Sequence, residues 1–126
     1  MTRIVITGAC GKMGRVINDI VNTRDDCEIT AGIDIAGEQY ADFPVYKKLF
    51  DLPEKPDVII DFSHPSALTT VLNYCKKRKL PVILATTGYT DEQKKEFTEA
   101  SKEIPVFFSA NMSLGINLII ALAKKA

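Results

Sequence analysis

The chain has 126 residues, 16 of them basic and 16 acidic, and 46% are apolar. No excess of positive charge is available to neutralise a phosphate backbone, which argues against a dedicated nucleic-acid binder, and the apolar content is that of a globular domain. No apolar run approaches the roughly 20 residues that span a bilayer, the first residues do not read as a secretory signal, and Cys10, Cys27 and Cys75 match neither a disulfide framework nor a zinc pattern. The expectation is a one-domain cytoplasmic protein with neither nucleic-acid nor membrane partners.

Arg3-Ile4-Val5-Ile6-Thr7 is a β-branched run stopped by Gly8, and it predicts a buried strand. From Lys12 to about Asn22, the residues Met13, Val16, Ile17, Ile20 and Val21 recur at helical spacing. Cys27 to Asp34 returns as a second strand. Residues 35–56 carry Pro44, Pro53 and Pro56 and predict loop, with a short strand near Val45 and a turn of helix at 47–51. Asp57 to Phe62 is a third clear strand, and Ser63-His64-Pro65 then supplies a cap and a first-turn proline. The next helix turns Leu68, Val71, Leu72 and Cys75 inward. It ends in Lys76-Lys77-Arg78-Lys79, where cations complement the helix dipole. Val82 to Ala85 is another strand. Thr90 with Gln93 marks the capped start of a polar helix running to Ser101. Val106-Phe107-Phe108 is a further strand, and Ser113 can cap a last helix that is apolar nearly all round. Strands alternating with helices predict an α/β fold, a doubly wound parallel sheet in three layers.

One motif carries chemistry. Gly8-Ala9-Cys10-Gly11-Lys12-Met13-Gly14 lies between the first strand and the first helix, where a dinucleotide-binding loop belongs. Gly8 allows a tight turn, Gly11 lets a pyrophosphate approach the backbone, and Gly14 lets the helix pack closely on the sheet. The helix N-terminus offers N–H groups and partial positive charge to phosphates. Asp34 falls 20 residues after Gly14, at the end of the second strand, where a carboxylate can accept hydrogen bonds from the adenosine ribose. This is the Rossmann arrangement, with NADH or NADPH as the expected cofactor. Asp34 and the uncharged Ile35 predict a weak preference for NADH, which Lys12 partly offsets.

In such a sheet the ligand lies across the C-terminal ends of the strands. Two loops at that edge, Ala85-Thr86-Thr87-Gly88 and Ser109-Ala110-Asn111-Met112-Ser113, suit contacts with a nicotinamide and its ribose, and equally suit ordinary turns. His64 reads first as a turn or capping residue.

Taken together, Gly8–Arg15, Asp61-Phe62-Ser63-His64-Pro65, Ala85–Tyr89 and Ser109–Asn117 resemble the dihydrodipicolinate (4-hydroxy-tetrahydrodipicolinate) reductases of bacterial lysine and diaminopimelate biosynthesis. The resemblance covers almost the whole chain in order. It implies a tetrameric two-domain oxidoreductase that reduces a cyclic dicarboxylate with NADH or NADPH. It also implies that Gly8, Ala9, Cys10, Gly11, Lys12 and Met13 hold the pyrophosphate and Asp34 the ribose. Ala85, Thr86, Thr87, Ser109, Ala110, Asn111 and Met112 then approach the nicotinamide. The family often carries glycine where Ala85 stands and phenylalanine where Met112 stands.

The same resemblance implies that residues 1–126 are the dinucleotide-binding domain. A paired-histidine, lysine and Pro-Ser-Gly-Thr segment, which serves protonation, substrate binding and tetramer contacts, belongs to a second domain outside them. No catalytic residue is therefore assigned, and the fragment alone is expected to be inactive. Two alternatives stand beside this reading: the cofactor domain of another two-domain dehydrogenase, and a stand-alone dinucleotide-sensing module.

Overall fold

The computed structural model describes residues 2–35, 38–39, 41–85 and 88–108. Among these residues, six strands form one wholly parallel sheet: β1 (Thr2–Thr7), β2 (Cys27–Ile33), β3 (Val45–Tyr46), β4 (Val58–Asp61), β5 (Val82–Leu84) and β6 (Val106–Phe108). Their spatial order is β3-β2-β1-β4-β5-β6. Helix α1 (Lys12–Asn22) connects β1 to β2, α2 (Leu68–Arg78) connects β4 to β5, and α3 (Asp91–Ala100) connects β5 to β6. The chain winds outward from β1 in one direction and from β4 in the other, so the order reverses between these two central strands. The α/β reading with a doubly wound sheet holds, and the element boundaries lie within a residue or two of those predicted, except that α2 begins at Leu68, where the sequence put Pro65 in its first turn. The helix expected after Ser113 falls outside the described residues.

Two apolar cores, one on each face of the sheet, explain why the strands read as continuous hydrophobic runs. Ile4, Ile6, Val58, Ile60 and Ile83 pack with Ile17 and Val21 of α1. The alternate residues Val5, Ile59, Val82 and Leu84 pack with Leu68, Val71, Leu72 and Cys75 of α2 and with Ala100 of α3. The result is three layers.

Strand β2 breaks this alternation. Ile4 pairs with Ile29, but Val5 pairs with Ala31, so Thr30 is an extra residue in the ladder. Before this bulge Cys27 and Ile29 face α1, whereas beyond it Ala31 and Ile33 face the α2 side. A one-residue bulge exchanges the faces of everything after it, and Gly32 and the following Asp34 are thereby brought to the α1 side.

The helix termini follow local chemistry. Thr90 and Gln93 make the predicted reciprocal capping box at α3. Ahead of α2 the chain makes a 3₁₀ turn, Pro65–Ala67, whose cap is the His64 ring accepting from the Ser66 amide at 3.1 Å. At the other end of α2, Lys76, Lys77 and Arg78 occupy the last turn, and Lys79 closes it in the left-handed conformation (φ 56°). The Lys77 ammonium lies over the Phe50 ring and the Arg78 guanidinium over Tyr74, each at 5.8 Å, so the basic run takes part in local packing. No helix among the described residues is long and apolar enough to cross a membrane.

Candidate functional site

The C-terminal ends of β1 and β4 meet where the strand order reverses, and their outgoing loops diverge to opposite faces. Such a divergence opens a crevice, the general ligand position in this architecture. Gly8 leaves β1 with φ +71°, and a Cβ there would lie 2.7 Å from the Phe62 carbonyl oxygen at the end of β4. Glycine is therefore required at this position both by conformation and by the close approach of the neighbouring strand.

Gly11 caps α1 in extended backbone (φ −74°, ψ 171°). Among the described residues, a Cβ on it would meet the Gly8 carbonyl oxygen alone, at 3.3 Å. Its missing side chain thus leaves room on the open side of the loop. The helix above it has no side-chain cap and no acid in its first turn, so the amides of Lys12, Met13 and Gly14, which have no carbonyl one turn back, face outward. Helix α3 is the opposite case, closed by its capping box and carrying Asp91 and Glu92 in the first turn. Of these two N-termini, only that of α1 is prepared for an anion.

The loop is anchored from beneath. The Gly8 and Ala9 amides both donate to the Ile33 carbonyl, at 2.7 and 3.2 Å, and the Gly11 amide donates to Gly8 at 3.1 Å. The Cys10 amide donates to Asp34 Oδ2 at 2.9 Å. Asp34 thus stands beside the glycine loop as expected and also fixes its shape. Ala9 is fully buried. It rests on Gly32, where a Cβ would lie 2.6 Å from the Ala9 methyl. Gly14 packs against the Ala9 backbone, which a Cβ would approach to 2.5 Å. Its close neighbour is the loop itself, not the sheet as the spacing suggested. Met13, which periodicity places with the buried face of α1, is 43% exposed at the lip of the crevice. Lys12 is exposed beside it, and Ile35 is 89% exposed.

On the β4 side, the Ala85 amide donates to the Asp61 carbonyl at 3.0 Å, placing Ala85 at the same edge. Thr86, Thr87, Ser109, Ala110, Asn111 and Met112 fall outside the described residues. His64 is exposed and engaged with Ser66, as a capping residue.

The residues that sequence reasoning left without a role are Thr7, Asp61 and Ser63. Asp61 is 1% exposed. Its Oδ1 accepts from the Thr7 hydroxyl, the Ser63 hydroxyl and the Ser63 amide, the last at 2.9 Å. Burial raises its carboxyl above the usual range, while the bonds from Ser63 and Thr7, and then the Tyr89 hydroxyl, pull it back. The available signal was an acid ending a run of Val58-Ile59-Ile60, where a buried strand has no ordinary use for charge.

The profile of the family described as "Dihydrodipicolinate reductase, N-terminus" matches residues 2–112. The chain belongs to this family. Within the dihydrodipicolinate reductases, it is 47% identical over 126 residues to the 4-hydroxy-tetrahydrodipicolinate reductase of Caldanaerobacter subterraneus subsp. tengcongensis, covering 100% of this chain and 50% of that protein. It is 45% identical over 124 residues to the enzyme of the same name from Clostridium tetani, covering 98% and 49%. The chain therefore spans about half the length of these relatives. Its fold is similar to that of a dipicolinate-bound dihydrodipicolinate reductase from Paenisporosarcina sp. TG-14, with TM-score 0.75 and 26% identity, covering 91% of this chain and 49% of that one.

Proposed function

We propose that this chain binds NADH or NADPH across the β1–β4 crevice and forms the cofactor-binding half of a 4-hydroxy-tetrahydrodipicolinate reductase. The observation that carries this reading is the uncapped, acid-free N-terminus of α1 beside Gly11, whose absent side chain leaves the approach open. A pyrophosphate there meets outward-facing amides and the positive end of the helix dipole. Asp34 stands at the adjoining strand end, in reach of the loop that holds the phosphates. When bound, the reduced nicotinamide supplies a hydride. The residues of this chain bind and orient the dinucleotide, and Ala85, together with the segments around Thr86–Thr87 and Ser109–Met112, serves its nicotinamide end. The cyclic dicarboxylate substrate, its proton donor and the tetramer contacts belong to the remainder of the enzyme. Cytoplasmic residence in lysine and diaminopimelate biosynthesis goes with this assignment.

Replacing Gly11 with valine fills the open side of the loop without demanding a new backbone conformation. Calorimetry with NADH should show a loss of at least about tenfold, since contacts with a charged group are each worth about 1.5–3 kcal/mol. Unchanged affinity in the folded variant would overturn the proposal. A 2′-phosphate near Asp34 meets like charge, worth on the order of 4 kcal/mol at about 4 Å and an effective dielectric near 20. Solvent and Lys12 reduce this, so NADPH should bind roughly tenfold more weakly than NADH, about 1.4 kcal/mol. Tighter binding of NADPH at low salt would reverse that preference.

A further inference from the structure

We infer that Thr7, Asp61 and Ser63 form a buried clamp that positions the two sides of the crevice, making Asp61 a positioning residue for cofactor binding. The inference rests on the cofactor reading above. The onward connections of the adjacent strands β1 and β4 run through α1 and α2 to opposite faces, so nothing in those connections holds their ends together. The backbone ladder finishes with the Phe62 amide donating to the Thr7 carbonyl at 3.0 Å. One residue further on, Gly8 lies so close to the Phe62 carbonyl that a Cβ would come within 2.7 Å. At this point the Asp61 carboxylate gathers a hydroxyl from β1 and a hydroxyl and an amide from the loop leaving β4. It extends the cross-link past the end of the ladder.

A buried carboxylate is expensive, and packing alone favours an aliphatic residue at this place. The preceding Val58, Ile59 and Ile60 are of that kind and equally buried. What an aliphatic residue cannot do is hold the Ser63 turn and Thr7 at fixed separation. The clamp lies on the α2–α3 face, below the crevice floor, and acts through Gly8 and Phe62. Among the described residues, the titratable groups facing Asp61 are Tyr89, from the segment before α3, and Cys75, from α2. Burial and the Asp61 charge push the Cys75 thiol up to about 12, so it stays protonated across the working range. His64 shares the loop but is bonded to Ser66.

The decisive variants are Thr7→Val, close to isosteric but without the hydroxyl, and Thr7→Ser, which keeps the hydroxyl and drops the methyl. NADH affinity is measured by calorimetry, with folding checked by circular dichroism. Thr7→Val should weaken NADH about tenfold, the size expected for one hydrogen bond to a charged group, and Thr7→Ser should bind within about twofold of the parent. Asp61→Asn should bind weakly at every pH. The parent should bind tightly at neutral pH and approach the variant's affinity as Asp61 protonates on acidification. Should Asp61→Asn fail to fold, the two Thr7 variants decide. Folded Thr7→Val binding as tightly as the parent, or Thr7→Ser binding no better than Thr7→Val, overturns the clamp and leaves the cofactor reading intact. Absence of NADH binding by the parent protein overturns both.

Discussion

Gly8 and Gly11 sit three residues apart in one loop and are glycine for different physical reasons. At Gly8 the backbone is left-handed and the Phe62 carbonyl occupies the place of a Cβ. Gly8→Ala should therefore cost about 1–2 kcal/mol for the conformation alone, with the backbone clash added. At Gly11 the backbone is ordinary and a Cβ would meet the Gly8 carbonyl oxygen at a tight but yielding 3.3 Å, so Gly11→Ala should lower the urea midpoint far less than Gly8→Ala while weakening NADH. A Gly8→Ala protein as stable as the parent would contradict the observed approach of β1 and β4. Asp61 gives a second residue-scale test, because its carboxyl titrates above the ordinary range when folded. A raised acid contributes stability that is fully present below its unfolded pKa, near 3.8, and is lost as pH rises through the folded value. Relative to Asp61→Asn, the parent should thus gain stability as the pH falls from 7 towards 4, by urea unfolding at each pH. An unchanged difference would mean that the carboxyl is not held above its ordinary range.

At the scale of elements, the helix ends separate structural from functional chemistry. Helix α3 closes its own N-terminus through Thr90 and Gln93. Removing that cap with Thr90→Ala should cost about 1 kcal/mol without altering cofactor affinity. Helix α2 ends on Lys79 at φ 56°, a conformation glycine adopts without steric penalty. Lys79→Gly should raise stability by about 0.5–1 kcal/mol, the relief of left-handed strain less the entropy that glycine loses. Both variants are read by denaturant unfolding, and a destabilised Lys79→Gly would count against this account of the α2 terminus. Helix α2 continues from the 3₁₀ turn that the His64 ring caps, whereas α1 begins uncapped and acid-free on Gly11. An anion at that N-terminus would offset the unsatisfied amides and the dipole, stabilising the helix as well as being held by it.

At the scale of the whole molecule, cofactor binding and turnover should separate. The crevice is built by strand ends and one helix N-terminus within this chain, so NADH at a hundred times its Kd should raise unfolding stability by about 2.7 kcal/mol. Turnover also needs the acceptor held against the cofactor, which can account for roughly 7–11 kcal/mol of a barrier, and a placed acid adding about 10²–10⁴-fold. With about half the length of its relatives, residues 1–126 alone should show the thermal shift without steady NADH oxidation on freshly generated dihydrodipicolinate synthase product. Oxidation within about tenfold of the full-length rate would place the catalytic groups here and refute that division.

Much of this was legible in the order of residues, because it depends on local chemistry. The β-branched runs make strands, the spacing of Val16, Ile17, Ile20 and Val21 makes α1, and Thr90 with Gln93 starts α3. Gly8 and Gly11 mark the tight loop between β1 and α1, and Gly14 the close packing of the helix on it. What the linear pattern could not show was decided by contacts between distant segments. A strict period of two from Cys27 turns Asp34 to the α2–α3 face, away from the glycine loop. The bulge at Thr30 returns it to the α1 face, and a bulge is a property of strand pairing, here with β1. Likewise Asp61 is 54 residues from Thr7, and only the adjacency of β1 and β4 at the point of reversal makes them partners. Spacing within one segment selects elements; pairing between segments selects which side chains meet.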